Sequence, residues 1–181
     1  MKNMHEKFSP SFSKRIKLNK QNIILSYKNL DEKPIITVGV PTYKRKTLER
    51  TLKSLSQQNF KKFQVLISDN NGISEETINI VEKFKSSLPI VFLISQKNNI
   101  GNIGNIAFLL NCADTDFFMW LADDDEISEN YINTLYSLLL KNPDSVSAMG
   151  ACKMMSSPKN GKFINQIDNS CLLYTSDAAD E

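Results

Sequence analysis

Three consecutive carboxylates, Asp123, Asp124 and Asp125, are the side chains of this sequence best suited to chemistry. Adjacent acids repel one another, so keeping them together calls for a compensating positive charge. A hard divalent cation, Mg²⁺ or Mn²⁺, supplies it by taking oxygen ligands from one or two of them. Such an ion also bridges to a diphosphate and stabilises charge on a departing phosphate oxygen. Read as an extended segment, the triplet turns Asp123 and Asp125 to one side, because side chains alternate along extended chain. The bland reading is a solvated loop leading into a helix, whose positive N-terminal end favours acids. What tips the balance toward a metal is position: the triplet follows, after Ala122, the aromatic-rich strand from Asp116 to Leu121.

Other polar groups point to a phosphorylated ligand. The stretch Asn98-Asn99-Ile100-Gly101-Asn102-Ile103-Gly104-Asn105 puts two glycines and four asparagines at a helix start, where backbone approaches closely and amides donate to phosphate oxygens. It lacks the G-x-G-x-x-G spacing of a dinucleotide site, and no Walker lysine follows, which argues against nucleotide-triphosphate hydrolysis. Asp69-Asn70-Asn71 can accept hydrogen bonds from a base or sugar edge, or simply form a turn. Tyr43 can stack on a planar base, or simply pack. His5, the sole histidine, lies in the N-terminal segment, so no His-based triad or His-ligated metal is expected. Cys112, Cys152 and Cys171 are odd in number and far apart, which fits neither a disulfide framework nor a zinc site and points to a reducing compartment.

The elements that must position these groups alternate along the chain. Ile35–Val40 is a β-branched apolar run ended by Pro41, as expected of a buried strand. Leu48, Leu52 and Leu55 mark a helix over 46–58. Phe63–Ile67 is a second strand, stopped by Asp69-Asn70-Asn71-Gly72. Ser74, followed by Glu75 and Glu76, opens a second helix. Ile90–Ile94 is a third strand, 102–112 a helix, and Asp116–Leu121 a fourth strand. Ser128-Glu129 opens a helix running through Leu140, and Val146–Met149 is a candidate fifth strand. This alternation predicts a three-layer α/β/α sandwich around a mostly parallel, Rossmann-like sheet. Ligands of such sheets bind outside the carboxyl ends of the strands. There the ends of the first, second and fourth strands would bring Pro41-Thr42-Tyr43, Asp69-Asn70-Asn71 and Asp123-Asp124-Asp125 together.

The 181 residues carry a formal charge of +2, which gives no pull toward nucleic acid. Residues 1–33 hold eight Lys/Arg against three Asp/Glu and read as a basic arm, either a solvated tail or a contact for an anionic membrane surface. No run of about eighteen apolar residues offers a membrane span, and no secretory signal is evident. The expected location is the cytoplasm, at the inner face of the membrane if the arm engages it. Residues 34–169 form the expected ligand-binding domain. Residues 170–181 show no period that continues the fold and read as an uninformative tail, with the natural protein continuing further.

Five motifs in order, V-P-T-Y-K-R at 40–45, S-L-S-Q-Q-N-F at 54–60, V-L-I-S-D-N at 65–70, N-N-I-G-N-I-G-N at 98–105 and F-M-W-L-A-D-D-D-E-I at 118–127, resemble the family 2 glycosyltransferases of the GT-A fold. The N-I-G-x-x-x-N and W-L-A-D-D-D forms are most similar to its O-antigen, lipopolysaccharide and capsule sugar transferases. The resemblance implies inverting transfer of a sugar from a nucleoside diphosphate (UDP, dTDP or similar) to a hydroxyl of a saccharide or lipid-linked acceptor, with Mn²⁺ or Mg²⁺ as cofactor. It implies a base pocket of Pro41, Thr42 and Tyr43 with Asp69 and Asn70. It sets Asn99, Gly101 and Asn105 beside the ribose and phosphates, Asp123 toward the ribose, and Asp124 and Asp125 on the metal.

Two departures from the family pattern qualify this. Asn71-Gly72-Ile73 stands where a small-Ser ending is usual, and Ala122 stands where the metal motif usually begins with Asp, so the metal register stays open among Asp123, Asp124 and Asp125. The family's general base belongs to the acceptor half, and no residue before Asn169 is identified as that base. Two other readings follow: a non-catalytic or truncated nucleotide-sugar-binding module, or a sugar-phosphate nucleotidyltransferase. The latter usually carries a Gly-rich, basic loop where this chain has Pro41-Thr42-Tyr43.

Overall fold

The computed structural model describes residues 23–72 and 74–151, and the backbone of 172–175. They fall into two compact units, one ending at Ile127 and the other beginning at Ser128.

The first unit is built on strands β1 (Ile23–Lys28), β2 (Ile36–Thr42), β3 (Phe63–Asp69), β4 (Ile90–Ser95) and β5 (Phe117–Trp120). They form one sheet in the order β1-β4-β3-β2-β5. β2, β3, β4 and β5 run parallel, and β1 closes the β4 edge antiparallel. All seven residues of β3 are buried, as expected for the middle strand of a sheet covered on both faces.

Three helices link the parallel strands: α1 (Leu48–Ser56), α2 (Glu75–Glu82) and α3 (Gly101–Cys112). The chain steps β2, β3, β4 in one direction, then returns past β3 and β2 to place β5. Right-handed crossovers therefore put α1 and α2 on one face and α3 on the other. The apolar spacing of each helix serves this arrangement. Leu48, Leu52 and Leu55 of α1 are fully buried, and α1 packs beside α2, whose Ile80 and Val81 point inward. On the opposite face Leu109 and Cys112 of α3 form a cluster with Leu66 of β3, flanked by Phe92 and Phe118. The predicted three-layer α/β/α sandwich is what the first unit shows.

At the amino ends of the strands a buried polar chain ties β2, β3 and the approach to β5. Gln64 Nε2 donates to Thr37 Oγ1 and to Asp114 Oδ1, both at 2.8 Å, and the Thr37 and Thr115 hydroxyls lie 2.6 Å apart. Each buried polar atom in it finds a partner, which is the condition for keeping such groups inside.

The second unit contains α4 (Tyr131–Lys141), β6 (Ser145–Met149) and β7 (Leu172–Thr175), with β6 and β7 paired antiparallel.

Several expectations change. Ile23–Lys28, read as part of the basic arm, is the edge strand β1. The strand expected at Val146–Met149 exists as β6, but its partner is β7 rather than the main sheet. β7 falls in the segment read as lacking any strand period. The last helix begins at Tyr131 rather than Ser128, because Ser128 accepts the Tyr131 amide through its carbonyl and so closes a turn ahead of the helix. Met1–Asn22, with His5, and residues 152–171, with Cys152, Cys171 and Asp168, lie outside the described residues.

Candidate functional site

The direction of chain progression reverses between β2 and β5, and a crevice opens at the carboxyl ends of strands where this happens. A cleft of about 300 Å³ lies there, lined by Pro41, Thr42, Tyr43, Arg45, Asn70, Asn99, Gly101, Asn102, Asn105 and Asp123. Eight of the nine residues expected to contact a donor sit in this lining. The ninth, Asp69, stands just behind it: it is 2% exposed, and its Oδ1 accepts the Asn71 amide at 2.9 Å.

Thr42 and Asp123 join the two sides of the switch point. The Thr42 hydroxyl donates to Asp123 Oδ2 at 2.7 Å, across 81 positions of sequence. Asp123 is 8% exposed. Burial pushes its carboxyl above the ordinary value, and the charge of Asp124 adds to this, while the Thr42 hydroxyl, the Arg45 guanidinium and the Tyr43 amide pull it back. Tyr43 presents an exposed ring with the Lys44 ammonium 5.2 Å from its centroid. Lys44 has φ 53°, a left-handed conformation uncommon for a side-chain-bearing residue, so the strand ends in a sharp turn before Arg45.

The acidic triplet is not extended. The Asp125 amide donates to the Ala122 carbonyl at 3.2 Å, closing a turn over 122–125. Asp123 is thereby directed inward, while Asp124 and Asp125 are exposed. The expectation that Asp123 and Asp125 act on one side fails, because alternation holds only along extended chain. Helix α1 carries this turn. The Thr51 hydroxyl donates to the Asp125 carbonyl at 2.8 Å, Ser54 Oγ accepts the Ile127 amide at 3.2 Å, and Arg50 pairs with Glu126 at 3.7 Å. Arg45 reaches Asp124 at 3.4 Å.

The opposite wall is the loop into α3. Asn70 spans it: Nδ2 donates to Asn99 Oδ1 at 2.8 Å and to the Gly101 carbonyl at 3.2 Å, and Oδ1 accepts the Ile100 amide at 2.9 Å. Asn99 Oδ1 also accepts the Gly101 amide. Gly101, with φ 75°, makes the left-handed step into the helix. Asn105 is 3% exposed and joined to Ser68 through both side-chain and backbone groups, and Gln96 Nε2 donates to Ser68 Oγ at 2.8 Å. Asn70 and Asn105 thus shape the wall with their amides.

Arg45 also lines the cleft, although its place in the chain gave it no expected role, and so does Asn102, one of the four asparagines expected at the helix start. Both lie inside the motifs at 40–45 and 98–105, and a cation five positions past the end of the expected strand Ile35–Val40 was the signal available for Arg45. No group of three or more His, Cys, Asp or Glu side chains forms a metal cage among the described residues. The donor chemistry nevertheless suits a hard cation: Asp124 and Asp125 are exposed carboxylates on the turn that follows Asp123, although neither lines the cleft itself.

Residues 37–165 match glycosyl transferase family 2. The chain belongs to that family. It is similar to the GalNAc(5)-diNAcBac-PP-undecaprenol beta-1,3-glucosyltransferase of Campylobacter jejuni, 34% identical over 104 residues that cover 56% of this chain and 33% of that protein. Among solved structures, S. aureus TarS superposes with a TM-score of 0.55 at 25% identity, covering 75% of this chain and 23% of that one. TarS 1–349 in complex with UDP gives a TM-score of 0.52 at 26% identity, over 75% of this chain and 38% of that one. The chain spans about a third of the length of the curated relatives it matches.

Proposed function

We propose that this chain is the donor-binding part of a glycosyltransferase that moves a sugar from a nucleoside diphosphate to an acceptor hydroxyl, with inversion, in cell-surface glycan synthesis. The observation that carries the reading is the cleft at the β2/β5 switch point. It unites an exposed aromatic ring, an amide-rich loop entering a helix, and a buried carboxylate, Asp123, which two exposed ones follow in the chain.

In this reading Tyr43 stacks on the base, with Pro41 and Thr42 forming the floor. Asp123, held by Thr42, accepts from a ribose hydroxyl. The loop at Asn99–Asn102, fixed by Asn70, lies along the ribose and phosphates. Asp69 positions the end of β3 from behind, and Asn105, in the cleft lining and joined to Ser68, lies beside the ribose and phosphates. Asp124 and Asp125 hold Mn²⁺ or Mg²⁺, which when bound offsets the diphosphate charge and favours departure of the nucleotide. The relatives agree in chemistry, since TarS was solved with UDP and the Campylobacter enzyme is named for a polyprenyl-diphosphate-linked substrate. We extend this to a nucleotide sugar as donor and a saccharide or lipid-linked acceptor, in lipopolysaccharide or related polysaccharide synthesis. No helix of the described residues is long and apolar enough to cross a membrane. The reading places the protein in the cytoplasm, with the basic N-terminal segment at the inner membrane face.

Calorimetric titration of UDP in the presence of Mn²⁺ tests the assignment. Asp124→Asn and Asp125→Asn should each weaken metal-dependent binding by tenfold or more, roughly the loss of one charge-assisted contact. Unchanged UDP affinity in both variants and in Asp123→Asn would remove the metal assignment.

A further inference from the structure

Two charged residues line the cleft, Arg45 and Asp123. Arg45 contacts Asp124 at 3.4 Å, with side-chain exposures of 56% and 45%. Exposed pairs of this kind contribute little to stability and break easily. The guanidinium is therefore held near the cleft by a weak, replaceable partner. Its backbone origin is fixed more firmly, by the left-handed turn at Lys44 and by the end of β2.

The charges around a bound donor give this contact a use. A nucleotide sugar carries about two negative charges on its diphosphate. Asp124 and Asp125 together cancel a divalent cation, and Asp123 adds no positive charge. Arg45 is then the cation of the cleft lining left to offset the phosphates, and its planar fork suits phosphate oxygens. It cannot serve Asp124 and the diphosphate equally well.

We propose that Arg45 is an exchangeable counter-ion: it neutralises Asp124 in the ligand-free protein, then yields that carboxylate to the divalent cation and takes a diphosphate oxygen. The proposal rests on the donor-binding reading above. Its consequence is that Arg45 opposes metal binding without nucleotide and favours nucleotide binding with metal, so it increases the coupling between the two ligands. That coupling is reciprocal by linkage.

Titration calorimetry of the full chain separates the effects, using Mn²⁺ alone and then UDP at saturating Mn²⁺. Arg45→Gln should bind Mn²⁺ alone about two- to fivefold more tightly, the range of an exposed ion pair. The same variant should bind UDP with Mn²⁺ about tenfold or more weakly, as expected for a lost charge-assisted bond. Arg45→Lys, which keeps the charge without the fork, should fall between on both counts. Failure of either arm overturns the proposal, whether Mn²⁺ affinity of Arg45→Gln is unchanged or weaker, or UDP affinity is retained. If the unaltered chain binds UDP in a Mn²⁺-dependent way while Arg45→Gln matches it, the exchange alone is wrong. If the unaltered chain binds no UDP with Mn²⁺, the donor-site reading falls with it.

Discussion

Gly39 sits on β2, opposite Trp120 in the register with β5, where α3 crosses the sheet. A Cβ built there would meet Phe118 Cζ at 2.7 Å and Leu109 Cβ at 3.2 Å. Ordinary carbon contacts begin near 3.5 Å, so roughly 0.8 Å of movement is required of the Phe118 ring. The ring has little room to give: it packs on the Leu66–Leu109–Cys112 cluster and meets the Trp120 ring edge-on at a centroid distance of 4.9 Å. The Leu109 neighbour is a Cβ, tied to the helix backbone. Gly39→Ala should therefore destabilise the protein by about 1–3 kcal/mol, the usual cost of overpacking. Urea denaturation followed by circular dichroism would show a lower midpoint at unchanged slope. Phe118→Leu should relieve the clash, so the double variant should recover at least about 0.5 kcal/mol relative to the sum of the single effects. A Gly39→Ala protein within about 0.5 kcal/mol of the parent, with no coupling to Phe118→Leu, would refute the claim that this glycine sets the distance between α3 and the sheet.

Asp123 gives a pH prediction. Its folded-state value is raised above its ordinary one by burial, so the folded protein holds this proton more readily than the unfolded chain. Its contribution to ligand-free stability is greatest below about pH 3.9 and is lost as pH rises through the folded value. The stability of the parent minus that of Asp123→Asn should thus fall with rising pH, and a flat or rising difference in thermal melts would sink the argument. Thr51→Val removes the hydroxyl that donates to the Asp125 carbonyl from a fully buried position and should cost about 1–2 kcal/mol in chemical denaturation; an unchanged midpoint would show that α1 does not brace the acidic turn. Gly101→Ala meets no atom within 4 Å but must adopt φ near 75°, so about 1–2 kcal/mol should be lost through the backbone alone. Gly101→Asn, better tolerated in that conformation, should recover part of it.

The four parallel strands and their helices were legible because each strand is a short apolar run ended by a polar turn, and each helix shows its inward spacing. The cleft was legible for a topological reason: parallel strands deliver all their carboxyl ends to one edge. What escaped depended on distant partners. β1 was hidden because Ile23–Lys28 lies in a Lys-rich segment, and its strand character comes from pairing with β4. The bend in the acidic triplet depends on one local hydrogen bond and on α1 hydroxyls about seventy positions away. The amides of Asn70 and Asn105 looked free for a ligand, yet tertiary neighbours take them up. Arg45, an ordinary surface charge by sequence, gains its meaning from Asp124, 79 positions on.

The bond between Thr42 and Asp123 also has a consequence in time. Strand β2 finds β3 after a short connection, but β5 can take its place beside β2 only once the chain has closed a loop of about eighty residues. Closing long loops is entropically costly and is typically among the later events of folding. On the ribosome the β2–β3–β4 layer can assemble while the other wall of the cleft is still being made. If the cleft takes a nucleotide as proposed, contacts with Asp123 become available to it only after β5 has docked beside β2.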